Sequence, residues 1–268
     1  MTDASSRGDL HFVGNATTVI TYGGITVLTD PNFLHRGQHA YLGYGLWTTR
    51  RTEPALQPAD LPPIDLIVLS HLHADHWDRI ATRELDPLTT VYTTKAAAKR
   101  LHQRRFRSAE GLDPWDERTL TRGTTTLRVT ALPGQHARGP IAPLFPPVIG
   151  SLLEFSGPDL PTLKIYQSGD TLLVDRLEEI RQRCPDVDVG LLHLGGTRVL
   201  GLTVTMDGRE GATWLKRLDP RLGVPIHYDD YTAFASPLSD FLEECKRQGV
   251  DVPLAVLDRG DHLPLPPP

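Results

Sequence analysis

Ser70-His71-Leu72-His73-Ala74-Asp75-His76-Trp77-Asp78 places three imidazoles and two carboxylates within nine residues. Just before it, Ile64-Asp65-Leu66-Ile67-Val68-Leu69 is short, mostly apolar and rich in β-branched residues, the pattern of a buried strand. The cluster therefore stands where a strand gives way to a loop. Neutral imidazole and ionised carboxylate are the usual zinc ligands outside thiolate sites, and close spacing on a loop lets several converge on one or two ions. A lone histidine reads as a solvated turn or a packed core residue. Four ligand-type residues in six positions after a strand read as a metal site.

Other apolar runs end in the same way. Residues 127–132 lead to Pro133-Gly134-Gln135-His136, and residues 163–167 lead to Ser168-Gly169-Asp170. Residues 187–192 lead to His193, and residues 222–226 to His227. Together with the run before Ser70, five predicted strands could bring side chains to one rim, where ligands of open sheet architectures gather.

Towards the N-terminus, residues 10–13, 17–22 and 25–29 alternate or run apolar around Gly14 and the Gly23-Gly24 pair, which predicts an antiparallel start with a hairpin. The third run ends in Thr29-Asp30-Pro31, leaving Asp30 at a strand tip. Residues 32–63 lack sustained periodicity but contain Phe33, His35, His39, Tyr41, Tyr44 and Trp47. They are expected to form a long loop that covers the metal edge and shapes a substrate pocket. Helical spacing predicts helices over 77–85, 94–101, 174–183, 207–218 and 237–248, with a short strand at 90–92. Pro237 is expected just inside its helix, and Gly249 just past the end of it. The basic run over 99–107 is read as a solvated helix face, with a phosphate-facing patch as the alternative. The tail, residues 263–268, is rich in proline and expected to be extended and exposed.

With 268 residues, 39% hydrophobic and 23% charged, the chain has material for a sizeable core and reads as one large domain. A net charge of -5 gives no general attraction to nucleic acid or anionic membrane, so nucleic-acid partners are disfavoured. Cys184 and Cys245 belong to no paired-thiol motif, which fits a reducing compartment and indicates neither disulfides nor a thiolate metal site. No secretory segment and no apolar run near the ~18 residues of a membrane span is present, and a cytoplasmic location is expected. A homo-oligomer is compatible with the sequence.

The pattern His71-x-His73-x-Asp75-His76 resembles the signature of the metallo-β-lactamase superfamily. That resemblance implies an α/β fold, a single-domain four-layered αββα sandwich with a metal site along one edge. It implies His71, His73 and His136 at one metal position, and Asp75, His76 and His227 at a second. Asp170 resembles the bridging carboxylate, and Asp30 the residue that supports the ligands from behind. All seven ligand positions are filled, which implies two divalent ions. Zinc comes first, with manganese, iron, nickel and cobalt also compatible. Members that reduce oxygen at a di-iron centre typically carry Glu where His73 stands, so a redox role is disfavoured. Two cations about 3.5–4 Å apart can bridge a water, bring its pKa toward neutrality and supply hydroxide. Asp75 or His193 could carry the proton to the leaving group, and the sequence does not choose.

Phe12-Val13-Gly14-Asn15-Ala16-Thr17, Val27-Leu28-Thr29-Asp30-Pro31, Leu61-Pro62-Pro63-Ile64-Asp65 and Pro225-Ile226-His227-Tyr228 look like the branch with ascorbate-6-phosphate lactonase and N-acyl-phosphatidylethanolamine phospholipase D. Two residues depart from that branch: Asn15 stands where it often has His, and His193 where it often has Pro. His193 is open to three roles: substrate contact, proton donor or packed support. The implied activity is hydrolysis of a small-molecule ester, lactone or phosphoester. The alternatives are a phospholipase-type or nucleic-acid phosphodiesterase, and a metal-binding protein without activity.

Overall fold

In the computed structural model, which describes residues 7–43, 45–199 and 201–266, alternation with period two sorts the strand side chains into two layers. Leu66 and Val68 join a core shared by two sheets, whereas Ile67 and Leu69 pack toward helices on the outside. The same split separates Ile20 from Val19 and Val27 from Leu28. On the second sheet, Val189 and Leu191 face the shared core while Leu192 and Leu194 pack beneath the other helices.

The first sheet has seven strands, in the order His262–Leu265, Gly8–Gly14, Thr17–Tyr22, Ile25–Thr29, Leu66–Val68, Thr90–Thr94 and Ala109–Leu112. Its early strands pair antiparallel, and from Ile25–Thr29 onward the pairing is parallel. The six-stranded sheet runs Leu222–Ile226, Val189–His193, Leu160–Gln167, Ile149–Gly157, Thr125–Pro133 and Glu117–Arg122. Arg79–Glu84 and Lys95–Gln103 cover the first sheet, and Glu178–Arg183, Gly208–Leu218 and Leu238–Gln248 the second. The result is the expected αββα order. Parallel pairing next to the site matters because it points successive strand ends in one direction. Gly23 and Gly24 form the predicted hairpin turn with φ of 57° and 83°, a region where a side chain is strained.

Several expectations need correction. Residues 32–63 are not a structureless loop: His39–Gly43 and Leu46–Thr49 pair as a β-hairpin, and Pro58–Asp60 is a 3-10 turn. Tyr41 pairs with Trp47 across the hairpin, so the aromatic content reflects cross-strand packing that an irregular run of glycines hid. Tyr44, Leu200, Pro267, Pro268 and the first six residues lie outside the described residues. The tail is extended but not free: His262–Leu265 pairs antiparallel with the first strand, Leu10 opposite Leu263 and Gly8 opposite Leu265. Proline is tolerated there because an edge strand leaves one side unpaired. Leu265 is fully buried in the shared core. Leu265→Ala is expected to cost about 2–5 kcal/mol, as buried Leu truncations do, read as a lower midpoint in urea unfolding with an unchanged slope. Pro237 is the N-cap rather than the first helical residue, and Gly249 closes that helix at φ 59°. The strands Ala109–Leu112, Glu117–Arg122 and Ile149–Gly157 were not expected. Both cysteines are free and buried, and among the described residues no helix is long and apolar enough to cross a membrane.

Candidate metal centre

The loop after Leu66–Val68 is built for convergence. The amide of Ser70 donates to Asp30 Oδ1 at 2.7 Å and its hydroxyl to Asp30 Oδ2 at 3.0 Å, which pins the strand exit. The amides of His76 and Trp77 both donate to the carbonyl of His73, folding the intervening residues into a tight turn. Asp78 then caps the next helix through Ala81 N at 2.7 Å, and it also accepts from the amide of Phe33. It is a helix cap rather than a member of the donor cluster. Trp77 anchors the turn by an edge-on contact with Phe106, centroids 4.9 Å apart.

The structure brings all seven predicted donors to one place. One group comprises His71, His73 and His136, and another Asp75, His76, Asp170 and His227, with the donor atoms of each group within 4.8 Å of one another. A third group, Asp30, His76 and His193, lies behind. His136 follows the Thr125–Pro133 strand, Asp170 follows Leu160–Gln167 and His227 follows Leu222–Ile226. Gly169 holds φ 61°, and a Cβ there would stand 2.7 Å from the Ile149 carbonyl. The turn that presents Asp170 therefore requires glycine. His227 also has positive φ, 63°, a strained conformation for a residue with a side chain.

Hydrogen bonds fix which ring nitrogens face inward. His136 Nδ1 donates to the Val204 carbonyl at 2.6 Å, and His227 Nδ1 to the Leu194 carbonyl at 3.2 Å. Since Ser70 Oγ gives its proton to Asp30, it accepts from His71 Nδ1 at 3.0 Å. Each of these rings is left with a lone pair on Nε2. His71 Nε2 lies 2.9 Å and His136 Nε2 3.2 Å from His73 Nδ1. At most one proton is available to separate three nitrogens at hydrogen-bond distance. In the second group, Asp75 Oδ1, His76 Nε2, Asp170 Oδ1 and His227 Nε2 are buried with no hydrogen-bond partner. Lone pairs crowded together without protons fit cations, and outer nitrogens tied to carbonyl or carboxylate groups are the usual backing of metal-bound imidazole.

The local fields agree. Burial, then the neighbouring charge of His76, holds His71 well below its ordinary pKa; burial, then His136, brings His73 down to about 3. Burial alone would depress His76 too, but Asp170, Asp75 and Asp30 outweigh it and push it well above the ordinary value. For Asp30 burial acts upward, and His76 and His193 overcome it to hold the carboxyl at about 2. The rings of His71 and His73 are thus held neutral, whereas His76 is held toward its charged form among three buried carboxylates.

His193 is fully buried. Its Nε2 lies 3.2 Å from Asp30 Oδ2 and its Nδ1 3.2 Å from Ser168 Oγ, with the ring stacked 5.8 Å from His76. Asn15, at φ 56°, clamps two donors at once: its Nδ2 donates to the Asp75 carbonyl at 2.6 Å, and its carbonyl accepts from His227 N at 3.0 Å. Its own amide donates to Asp230, which also meets Arg50 and Arg259. Gln167, Thr205 and the Val204 carbonyl are further supports that the sequence did not single out. Only Gln167 carried a signal, since it precedes the Ser168-Gly169-Asp170 turn.

Comparison with known proteins places this geometry in context. The family model described as beta-lactamase superfamily domain matches residues 26–228. A UPF0173 metal-dependent hydrolase of Exiguobacterium sp. is 23% identical, covering 90% of this chain and 95% of its own. Among solved structures, a possible metal-dependent hydrolase from Veillonella parvula is similar with TM-score 0.79 and 22% identity, covering 97% of this chain and 100% of that one. An isothiocyanate hydrolase from Delia radicum gut bacteria is similar with TM-score 0.75 and 23% identity, covering 95% and 98%.

Proposed function

The chain belongs to the beta-lactamase superfamily, and from that premise we propose that it is a metal-dependent hydrolase of a small ester, lactone or phosphoester. The observation that carries the reading is the row of buried donors without partners: Asp75 Oδ1, His76 Nε2, Asp170 Oδ1 and His227 Nε2. In this reading His71, His73 and His136 would hold one divalent ion and Asp75, His76 and His227 a second, with the Asp170 carboxylate, grouped with the latter, available to both. Zinc is the first choice for so many imidazoles, with manganese, iron, nickel and cobalt compatible. When bound, such a pair brings the pKa of a shared water toward neutrality and polarises the bond to be cleaved.

The chain's own residues supply orientation and proton handling. Asp75 Oδ1 has no hydrogen bond and Oδ2 lies 3.5 Å from His227 Nε2; with Oδ1 turned to the ion, Oδ2 is left to take up a proton transiently and pass it to the leaving group. His193 is walled off from the open edge and acts as a positioning residue that, with Asp30, sets the direction of His76. The likeness of the Phe12, Asp30 and His227 segments to the lactonase and phospholipase branch supports a lactone or phosphoester over other acyl compounds.

Protein purified without chelator is expected to contain two divalent ions per chain and to turn over at least one member of a panel of aryl esters, lactones, phosphomonoesters and phosphodiesters. An isothiocyanate belongs on the panel because a structural neighbour is named for hydrolysing one. Chelator should abolish turnover and added divalent ion restore it; turnover indifferent to chelator would end the proposal. Ions bound without turnover of any panel member would favour the metal-binding alternative. His193→Ala is expected to weaken metal binding by about 10–100-fold, the usual effect of removing a residue that backs a ligand. In a positioning role, kcat of the metal-saturated variant stays within a few-fold of wild type and the pH profile keeps its shape. A displaced acidic or basic limb would instead make His193 a proton carrier.

A further inference from the structure

A cleft of about 560 Å³ opens beside His73, the one partly exposed imidazole of the His71, His73 and His136 group. Tyr41 and Leu72 line it together with Leu144 and Phe145. Tyr41 is 42% and Leu144 53% exposed, so the cleft keeps large apolar side chains uncovered at its edge. A second cleft of about 490 Å³ shares Tyr41, Leu72 and Arg100 and adds Trp47, Arg79 and Arg104. Arg100 therefore belongs to both. Arg100 and Arg104 are four residues apart at the end of the Lys95–Gln103 helix, on one face of it, while Ala97 and Leu101 are buried in the core beneath.

These guanidinium groups are not neutralised. Among the described residues, the side chains of Arg100 and Arg104 make no hydrogen bond or ion pair, and Arg79 reaches only the His39 carbonyl, at 3.5 Å. The one carboxylate lining the second cleft, Asp78, is buried and occupied by the amides of Ala81 and Phe33. Arg79, Arg100 and Arg104 are all exposed, so an approaching anion can reach them. Three unpaired arginines side by side on a chain of net charge -5 are a local arrangement, not a general consequence of composition.

Resting on the hydrolase reading above, we propose that Arg100, with Arg104 and Arg79, recognises an oxyanion at the non-reacting end of the substrate. The substrate class is then a small amphipathic anion: a cleavable bond at the metal edge, an apolar or aromatic middle along Tyr41, Leu72 and Phe145, and a terminal carboxylate or phosphate. Both groups are planar or multi-oxygen acceptors that a guanidinium fork binds in pairs.

The test is calorimetric binding to chelator-treated protein, with 4-phenylbutyrate, 2-phenylethyl phosphate and the neutral 4-phenylbutanamide as probes. At least one anion should bind on the order of 10-fold or more tightly than the amide, as a charged hydrogen-bond partner allows, and the preferred anion identifies the terminal group. Arg100→Ala should erase the preference, and Arg107→Ala, from the same basic run, should keep it. Equal binding of all three probes, or equal loss in both variants, would overturn the proposal. On metal-replete enzyme, Arg100→Ala should lower kcat/KM for an anion-tailed substrate by the same factor and for a neutral-tailed one by much less, whereas Arg107→Ala should leave both as in wild type. Absent hydrolysis with an intact binding preference would sink the reaction and spare the anion site; hydrolysis without any preference would do the reverse.

Discussion

Asp170→Asn protein, folded like the wild type by circular dichroism, will hold no more than one ion per chain and lose on the order of 10³-fold in turnover, the scale of losing both a shared metal position and its charge stabilisation. The substitution keeps shape: Thr205 Oγ1 donates to Asp170 Oδ2 at 3.1 Å, and an amide oxygen can accept the same bond. What it removes is charge. Burial would raise the Asp170 carboxyl, but His227 and then His76 hold it well below the usual carboxylate range. In the two-ion reading proposed above, two dications held by adjoining donor groups would repel strongly without an anion beside both. Metal analysis after gel filtration decides the case. Two retained ions with more than a tenth of the activity would remove Asp170 from the bridge.

Asp30→Ala should be the most destabilising single change at this end of the molecule, by about 3–5 kcal/mol, as expected when one partner of a buried charged network is deleted. The carboxylate is fully buried. It accepts from Ser70 N, Ser70 Oγ and Gln167 Nε2 at 2.7, 3.0 and 2.9 Å, and lies 3.2 Å from both His193 Nε2 and His76 Nδ1. Its removal strands each of those donors without solvent. Urea unfolding of chelator-treated wild type and variant isolates this cost from metal binding. Metal affinity measured separately should fall by about 10–100-fold through misdirected His76. A variant as stable as wild type without metal would show that water replaces the carboxylate, and that Asp30 is no keystone.

How much of this could be read from the chain depended on whether the signal was local. The donor loop was legible because His71, His73, Asp75 and His76 are adjacent in sequence and follow a strand of unmistakable composition. His136, Asp170 and His227 were legible because each sits just past an apolar run. Asn15 was noticed only as a departure from the resembled branch, because its work is done by a backbone carbonyl and a side-chain amide directed at residues far along the chain. The hairpin of Tyr41 and Trp47 was lost among glycines, since a strand pair whose faces are only partly buried shows no hydrophobic alternation. The Glu117–Arg122 strand failed for the same reason, being mostly exposed and polar. Leu263 and Leu265 were hidden by proline, which predicts extension but not the edge that receives it. His193 was noticed as an extra imidazole, but its burial depended on the packing of Asp30 and Ser168 against it.

His71, His73, Asp75 and His76 leave the seven-stranded sheet, whereas His136, Asp170 and His227 leave the six-stranded one. Ions held between them would rivet the two halves of the sandwich at a single margin, tying segments far apart along the polypeptide. Chelation would then be a mechanical event as well as a chemical one. With the rivet withdrawn, the sheets could part along that margin while the shared core stays closed, so amide exchange should quicken first in the turns carrying Gln135, Gly169 and Tyr228.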